Sequence, residues 1–91
     1  MYVRNIRGTS DSRRDTAWLN MWKETNGIPY SKRINCSVFG CGETATVGAH
    51  IIKEYTGMRQ YIVPMCQQHN LMYDQELRIN ANIKPMPVRG Q

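Results

Sequence analysis

No stretch of this chain approaches the ~20 consecutive apolar residues that a bilayer-spanning helix needs, so the reading excludes a membrane span. The opening residues, MYVRNIR, lack the apolar segment of a secretory signal. Internal repeats and low-complexity tracts are missing. Cysteine occurs three times, and an odd count excludes a framework in which every cysteine is paired within the chain. A reducing, cytoplasmic setting with thiolates held by a metal ion is therefore expected. Acidic residues are also few, seven Asp and Glu against twelve Lys and Arg, for a formal net charge of +5. With 91 residues the chain reads as one domain, 1–91, whose core alone supplies little net stability. A structural metal is one recognised supplement.

The basic excess is concentrated early. Residues 1–33 hold Arg4, Arg7, Arg13, Arg14, Lys23, Lys32 and Arg33 against Asp11, Asp15 and Glu24. Such a balance suits a phosphate backbone or an acidic protein partner. It is also the mild basicity of many small proteins, because no dense basic run interleaves with aromatics.

The scarce ligand-type residues are crowded together. All three cysteines and both histidines lie between Cys36 and His69, as Cys36-x4-Cys41, His50 and Cys66-x2-His69. Thiolates and imidazoles at these spacings are what Zn²⁺ selects. A knuckle would supply Cys36 and Cys41. The first turn of a helix would supply Cys66 and His69, which at i and i+3 face one ion. Three thiolates and a neutral imidazole leave a charge of about −1 on the site, which the positive end of a helix dipole suits. Two alternatives stay open: His50 in place of His69 as fourth ligand, or a disulfide between two of the cysteines.

Around this cluster the elements read as follows. Residues 1–14 form a basic, extended arm broken at Gly8, Thr9 and Ser10. A helix follows over 15–27, capped by Asp11 or Ser12, with Trp18, Leu19, Met21 and Trp22 as its apolar side; Gly27 and Pro29 end it. The plain role of both tryptophans is packing against the metal module. Gly40 and Gly42 relieve the knuckle backbone. Residues 44–52 are strand-like, a loop surrounds Gly57, and Gln60 to Met65 is a second strand in which Pro64 marks an edge or an end. A second helix runs from Gln67 to about Glu76 or Leu77. The end of the chain, from Arg78 on, could supply a last short strand before it becomes a Pro-broken tail over 80–91.

Knuckle, hairpin and helix over 34–79 together resemble a treble clef, in its HNH endonuclease (ββα-metal-like) form. The matching segments are Ala49-His50-Ile51, Tyr61-Ile-Val-Pro-Met-Cys66 and Gln-Gln-His69-Asn70-Leu-Met-Tyr73-Asp74. The implied fold is a small α+β, zinc-stabilised treble clef with an N-terminal amphipathic helix. The resemblance implies His50 as the general base and Asn70 at the position of the last histidine, where it would hold a catalytic Mg²⁺ or Mn²⁺ with help from Asp74 or Glu54. An imidazole titrates near neutrality and a hard cation offsets charge on a scissile phosphate. Tyr61 replaces the family's central Asn, with Gln60 beside it, so one signature position of three is kept. The other reading of His50 is a buried strand histidine or an outer brace to a zinc thiolate.

Three functions follow. The first is a nucleic-acid-associating zinc module, DNA in particular, with nuclease activity weakened or lost; Arg4, Arg7, Arg13, Arg14, Lys53 and Arg59 would then contact phosphates. The second is an active Mg²⁺- or Mn²⁺-dependent endonuclease using His50. The third is a protein-binding module. In size and style the chain is similar to small phage or mobile-element proteins, some of which inhibit host defence complexes such as CRISPR effectors. An acidic or nucleic-acid-binding host protein would be its partner, with Trp18, Trp22, Tyr30 or Phe39 as anchors where exposed.

Overall fold

The computed structural model describes residues 1–6, 12–53, 59–72 and 75–88, and for residues 12 and 13 the backbone alone. The elements are β1 (Tyr2–Asn5), α1 (Ser12–Thr25), β2 (Val47–Lys53), β3 (Gln60–Met65), α2 (Gln67–Asn70), β4 (Glu76–Arg78) and β5 (Met86–Pro87). The strands form one five-stranded sheet in the order β4-β1-β2-β3-β5, with every pairing antiparallel. No helix among the described residues is long and apolar enough to cross a membrane.

The central pair forms as its β-branched residues favour, with Ala49 opposite Val63 and His50 opposite Ile62. Alternation then divides the sheet into two faces. Val47, Ala49 and Ile51 pack with Val3, Tyr61, Val63 and Met65, and with Cys36 and Cys66. Gly48 and His50 turn to the other face, which α1 covers. There Trp22 packs on Ile62 and Met86, with Trp18, Ile28 and Ile34 at the margin. Fully burying one such aliphatic side chain is worth about 1.5–3 kcal/mol.

Helix α1 is set on the sheet by closeness of backbone rather than by side-chain interdigitation alone. A Cβ at Gly48 would lie 2.6 Å from the Trp18 carbonyl carbon and 2.6 Å from the Leu19 nitrogen. Only glycine fits there. The helix closes as the sequence implies at Gly27, whose φ of 69° is the left-handed conformation that glycine adopts freely. Its amide donates to the Glu24 carbonyl at 3.2 Å, and the Ile28 amide to that of Lys23 at 2.8 Å, the bonding pattern of a Schellman end.

Four expectations are corrected. The arm 1–14 is not merely extended, because residues 2–5 enter the sheet as β1 between β4 and β2. The helix expected over 15–27 spans Ser12–Thr25 and is the second element, after β1. The second helix stops after one turn, and Glu76–Arg78 is a strand. The reason is the arm itself: Val3 pairs with Leu77 and buries it, so period-two burial wins over a short helical segment. Within the tail, Met86 and Pro87 pair with Ile62 and Tyr61 at the far edge. Pro64 lies inside β3, where its carbonyl accepts the Ser37 amide at 3.0 Å and β5 does not reach. The loop about Gly57 lies outside the described residues.

Candidate metal centre

Cys36 and Cys41 lie on a turn that its backbone bonds define. The Cys36 amide donates to the Glu43 carbonyl at 2.8 Å, and the Cys41 amide to that of Val38 at 3.0 Å. Gly40, at φ 81°, lets the chain reverse between the two sulfurs. Cys66 follows β3 directly and stands at the N-cap of α2, whose single turn begins with the Asn70 amide bonded to the Cys66 carbonyl at 3.0 Å. That turn carries His69 back over Cys66.

The three sulfurs and one His69 ring nitrogen all lie within 4.8 Å of one another. His69 Nδ1 is 3.2 Å from Cys66 Sγ and 3.7 Å from Cys36 Sγ. A tetrahedral ion with ~2.3 Å metal–sulfur and ~2.0–2.1 Å metal–nitrogen bonds would separate its ligands by about 3.5–3.8 Å. The donors thus fit a metal ion such as zinc. Cys36 and Cys66 are buried, whereas Cys41 and His69 lie partly at the surface. The cysteines form no disulfide.

Burial pushes the Cys36 thiol up from 9.0 to about 12, against the backbone amides of Cys66 and Val38, and the neighbouring Cys66 sulfur adds to the rise. Thiolates gathered here are costly without a cation, and a bound cation reverses that balance by coordinating them. An ion held by these four residues would crosslink the knuckle and the α2 turn.

A residue that the sequence did not single out braces this centre. Asn5 is fully buried, and its Nδ2 donates to the Asn70 carbonyl at 2.5 Å and lies 3.5 Å from that of His69. These carbonyls end a helix of one turn, where the His69 carbonyl also accepts the Met72 amide at 3.0 Å. Strand β1 thus holds the turn that carries two ligands. Polar residues in a polar arm give no hint of such a role. An isolated glycine in a strand-like run, as at Gly48, does signal close backbone approach.

The two histidines separate cleanly. His50 is not in the cluster, so the alternative ligand set is not the one seen. Its ring is buried on the α1 face, edge-on to Trp18 at 4.8 Å between centroids. Asn70 is buried beside Asn5, whose position at the partner of Ile51 puts it on the opposite face. The sheet therefore stands between His50 and Asn70. Tyr61 is buried, with Lys53 Nζ 4.2 Å above its ring.

Of the proposed phosphate contacts, Arg14 and Arg59 are exposed and Arg4 and Lys53 are half-buried. Arg7 and the Arg13 side chain lie outside the described residues, as do Glu54, Tyr73 and Asp74 and, among the expected helix caps, Asp11 and the side chain of Ser12. Lys23 is withdrawn from the basic surface: it is buried, and its Nζ donates to the Tyr30 and Lys32 carbonyls at 3.0 and 2.8 Å. Trp22 is buried and donates to the Lys84 carbonyl at 2.9 Å, Trp18 is half-buried, and Tyr30 and Phe39 are exposed. Comparison with protein families, with curated proteins and with solved structures finds no match for this chain, so the chemistry of the centre and of the surface around it carries the functional reading.

Proposed function

We propose that this protein is a metal-stapled module that associates with nucleic acid without cleaving it. Zn²⁺ is the structural ion, held by Cys36, Cys41, Cys66 and His69 in a shortened, HNH-like treble clef. The exposed charge carries this reading. Among the described residues Arg14, Lys32, Arg33, Arg59, Arg78 and Lys84 are exposed, against Glu24, Glu43 and Glu76. One of those acids, Glu24, already accepts the Tyr30 hydroxyl at 2.6 Å. Such a surface binds phosphates by releasing counterions, so affinity falls steeply with salt.

The burial of His50 supports the non-catalytic form. A general base must come within hydrogen-bond reach of the water that it activates. His50 is packed under Trp18, on the face opposite Asn70, so the pair that the family would use is not brought together.

Fluorescence anisotropy with labelled oligonucleotides over a salt series tests the reading. Binding that weakens roughly linearly in log affinity against log salt, with plasmid left intact in Mg²⁺ or Mn²⁺, is the expected result. Nicking that His50→Ala abolishes would replace this reading with the endonuclease. Absence of binding even at low salt would leave the protein-binding alternative.

A further inference from the structure

The only phenylalanine of the chain, Phe39, sits at the tip of the knuckle between two metal ligands and is 57% exposed. Its ring is not loose. The Phe39 amide donates to the Arg78 carbonyl at 2.8 Å, Val38 bridges Ile79, and the Arg78 guanidinium lies 4.0 Å above the ring centroid. One π-face is thus occupied by a cation and the ring remains more than half open. Arg78 stands directly opposite Tyr2 in the β4–β1 register, and Tyr2 is 49% exposed. Paired residues leave the sheet on one face, so Tyr2, Arg78 and, two residues along β1, Arg4 share it. Here an exposed aromatic ring stacks against an exposed arginine.

From this geometry we propose that the Phe39–Arg78 pair, with Tyr2 beside it, is a stacking platform for unpaired bases, so that the nucleic acid taken by this protein is single-stranded. The inference rests on the nucleic-acid reading above and narrows it. In a duplex both π-faces of each base are covered by its neighbours, and an aromatic side chain has nothing to stack on. In a single strand each base offers a face, and an aromatic ring backed by a guanidinium gains both stacking and cation–π attraction. Mounting the ring on a turn between Cys36 and Cys41 keeps it rigid, so little ordering is lost on binding. The basic surface around it matches the charge of the strand.

The experiment compares oligo(dT) and oligo(U) with a duplex of equal length, by anisotropy, for the metal-loaded full chain and for Phe39→Ala, Phe39→Trp and Arg78→Gln. Single strands are expected to bind at least tenfold more tightly than the duplex. Phe39→Ala should weaken single-strand binding about tenfold and leave duplex binding and metal content unchanged, while Phe39→Trp restores it. Arg78→Gln should weaken it and reduce its salt dependence. Equal loss for both nucleic acids, or no effect of Phe39→Ala, would overturn the platform and leave the nucleic-acid reading standing. No binding to either would overturn both. Sedimentation of the same samples covers the remaining occupant: a self-associated form that Phe39→Ala dissolves, with oligonucleotide affinity unchanged, would assign the patch to a second copy instead.

Discussion

Asn5 Nδ2 donates to the Asn70 carbonyl at 2.5 Å, a bond that joins the first strand to the ligand-bearing turn across a sequence separation of 65. Both residues are buried, so the bond is shielded from water. Strand β1 therefore braces the turn that carries two of the candidate ligands, as well as completing the sheet.

Asn5→Ala leaves the Asn70 carbonyl buried without this donor. The expected cost is about 1–3 kcal/mol of stability. Apparent metal affinity should fall about tenfold, as for loss of an outer support of a ligand. Thermal melts of the loaded protein and chelator competition measure the two effects. Asn5→Asp keeps the size but presents oxygen to oxygen, and should be at least as harmful.

Cys36→Ser and Cys66→Ser each remove a buried donor from the cluster. Binding of a structural Zn²⁺ is folding free energy, about 10–16 kcal/mol in small zinc modules near neutral pH. Both variants should lose the cooperative melt, and chelation of the parent protein should do the same reversibly. A well-folded parent that elemental analysis finds without metal would contradict the centre.

His69→Ala and His50→Ala should part company. His69→Ala removes a ligand, and metal content should fall with more than the roughly 10- to 100-fold affinity loss of an outer-shell change. His50→Ala should retain one equivalent of metal and lose about 1–3 kcal/mol from packing against Trp18. Elemental analysis alongside melting separates the two; metal lost in His50→Ala and kept in His69→Ala would reverse the assignment.

Gly48→Ala introduces a methyl group 2.6 Å from helix backbone, which cannot rotate away. Displacing α1 should cost about 1–3 kcal/mol or more. Each kcal/mol lowers Tm by roughly 4–8 °C in a domain of this size. Metal content should stay the same, because α1 lies on the opposite face.

Metal affinity should rise with pH. Burial raises the Cys36 thiol to about 12, so it is protonated throughout the neutral range and a metal must displace that proton. Each displaced proton makes apparent affinity fall about tenfold per unit as pH is lowered below the thiol value. Competition with a chelator of known pH dependence between pH 6 and 8 gives the slope. A flat profile would show that no thiol proton is exchanged for the ion.

The legible part of this protein is local. Two knuckle spacings were enough to choose Cys36, Cys41, Cys66 and His69, because ligands for one small ion come in short-range pairs. The β2–β3 hairpin was legible from its branched residues, and the end of α1 from Gly27, because strand propensity and a left-handed φ are properties of single residues. What local pattern could not decide was competition between distant segments. Residues 76–78 carry a plausible continuation of a helix, and they become a strand because Val3 offers an apolar partner to Leu77.

The facing of His50 shows the same division at the functional level. From sequence alone a base, a ligand and a buried ring all stay open for His50, since nothing within a strand says which face will be covered. The chain by itself pointed to the four residues that gather in the candidate metal centre and to the sign of the net charge. Tertiary structure decided that α1 would close over Gly48 and His50, and that Asn5 would brace the ligand turn from the far end of the chain. The reason is physical: ligand spacing and charge are carried by neighbouring residues, whereas burial of one sheet face depends on which remote segment packs against it.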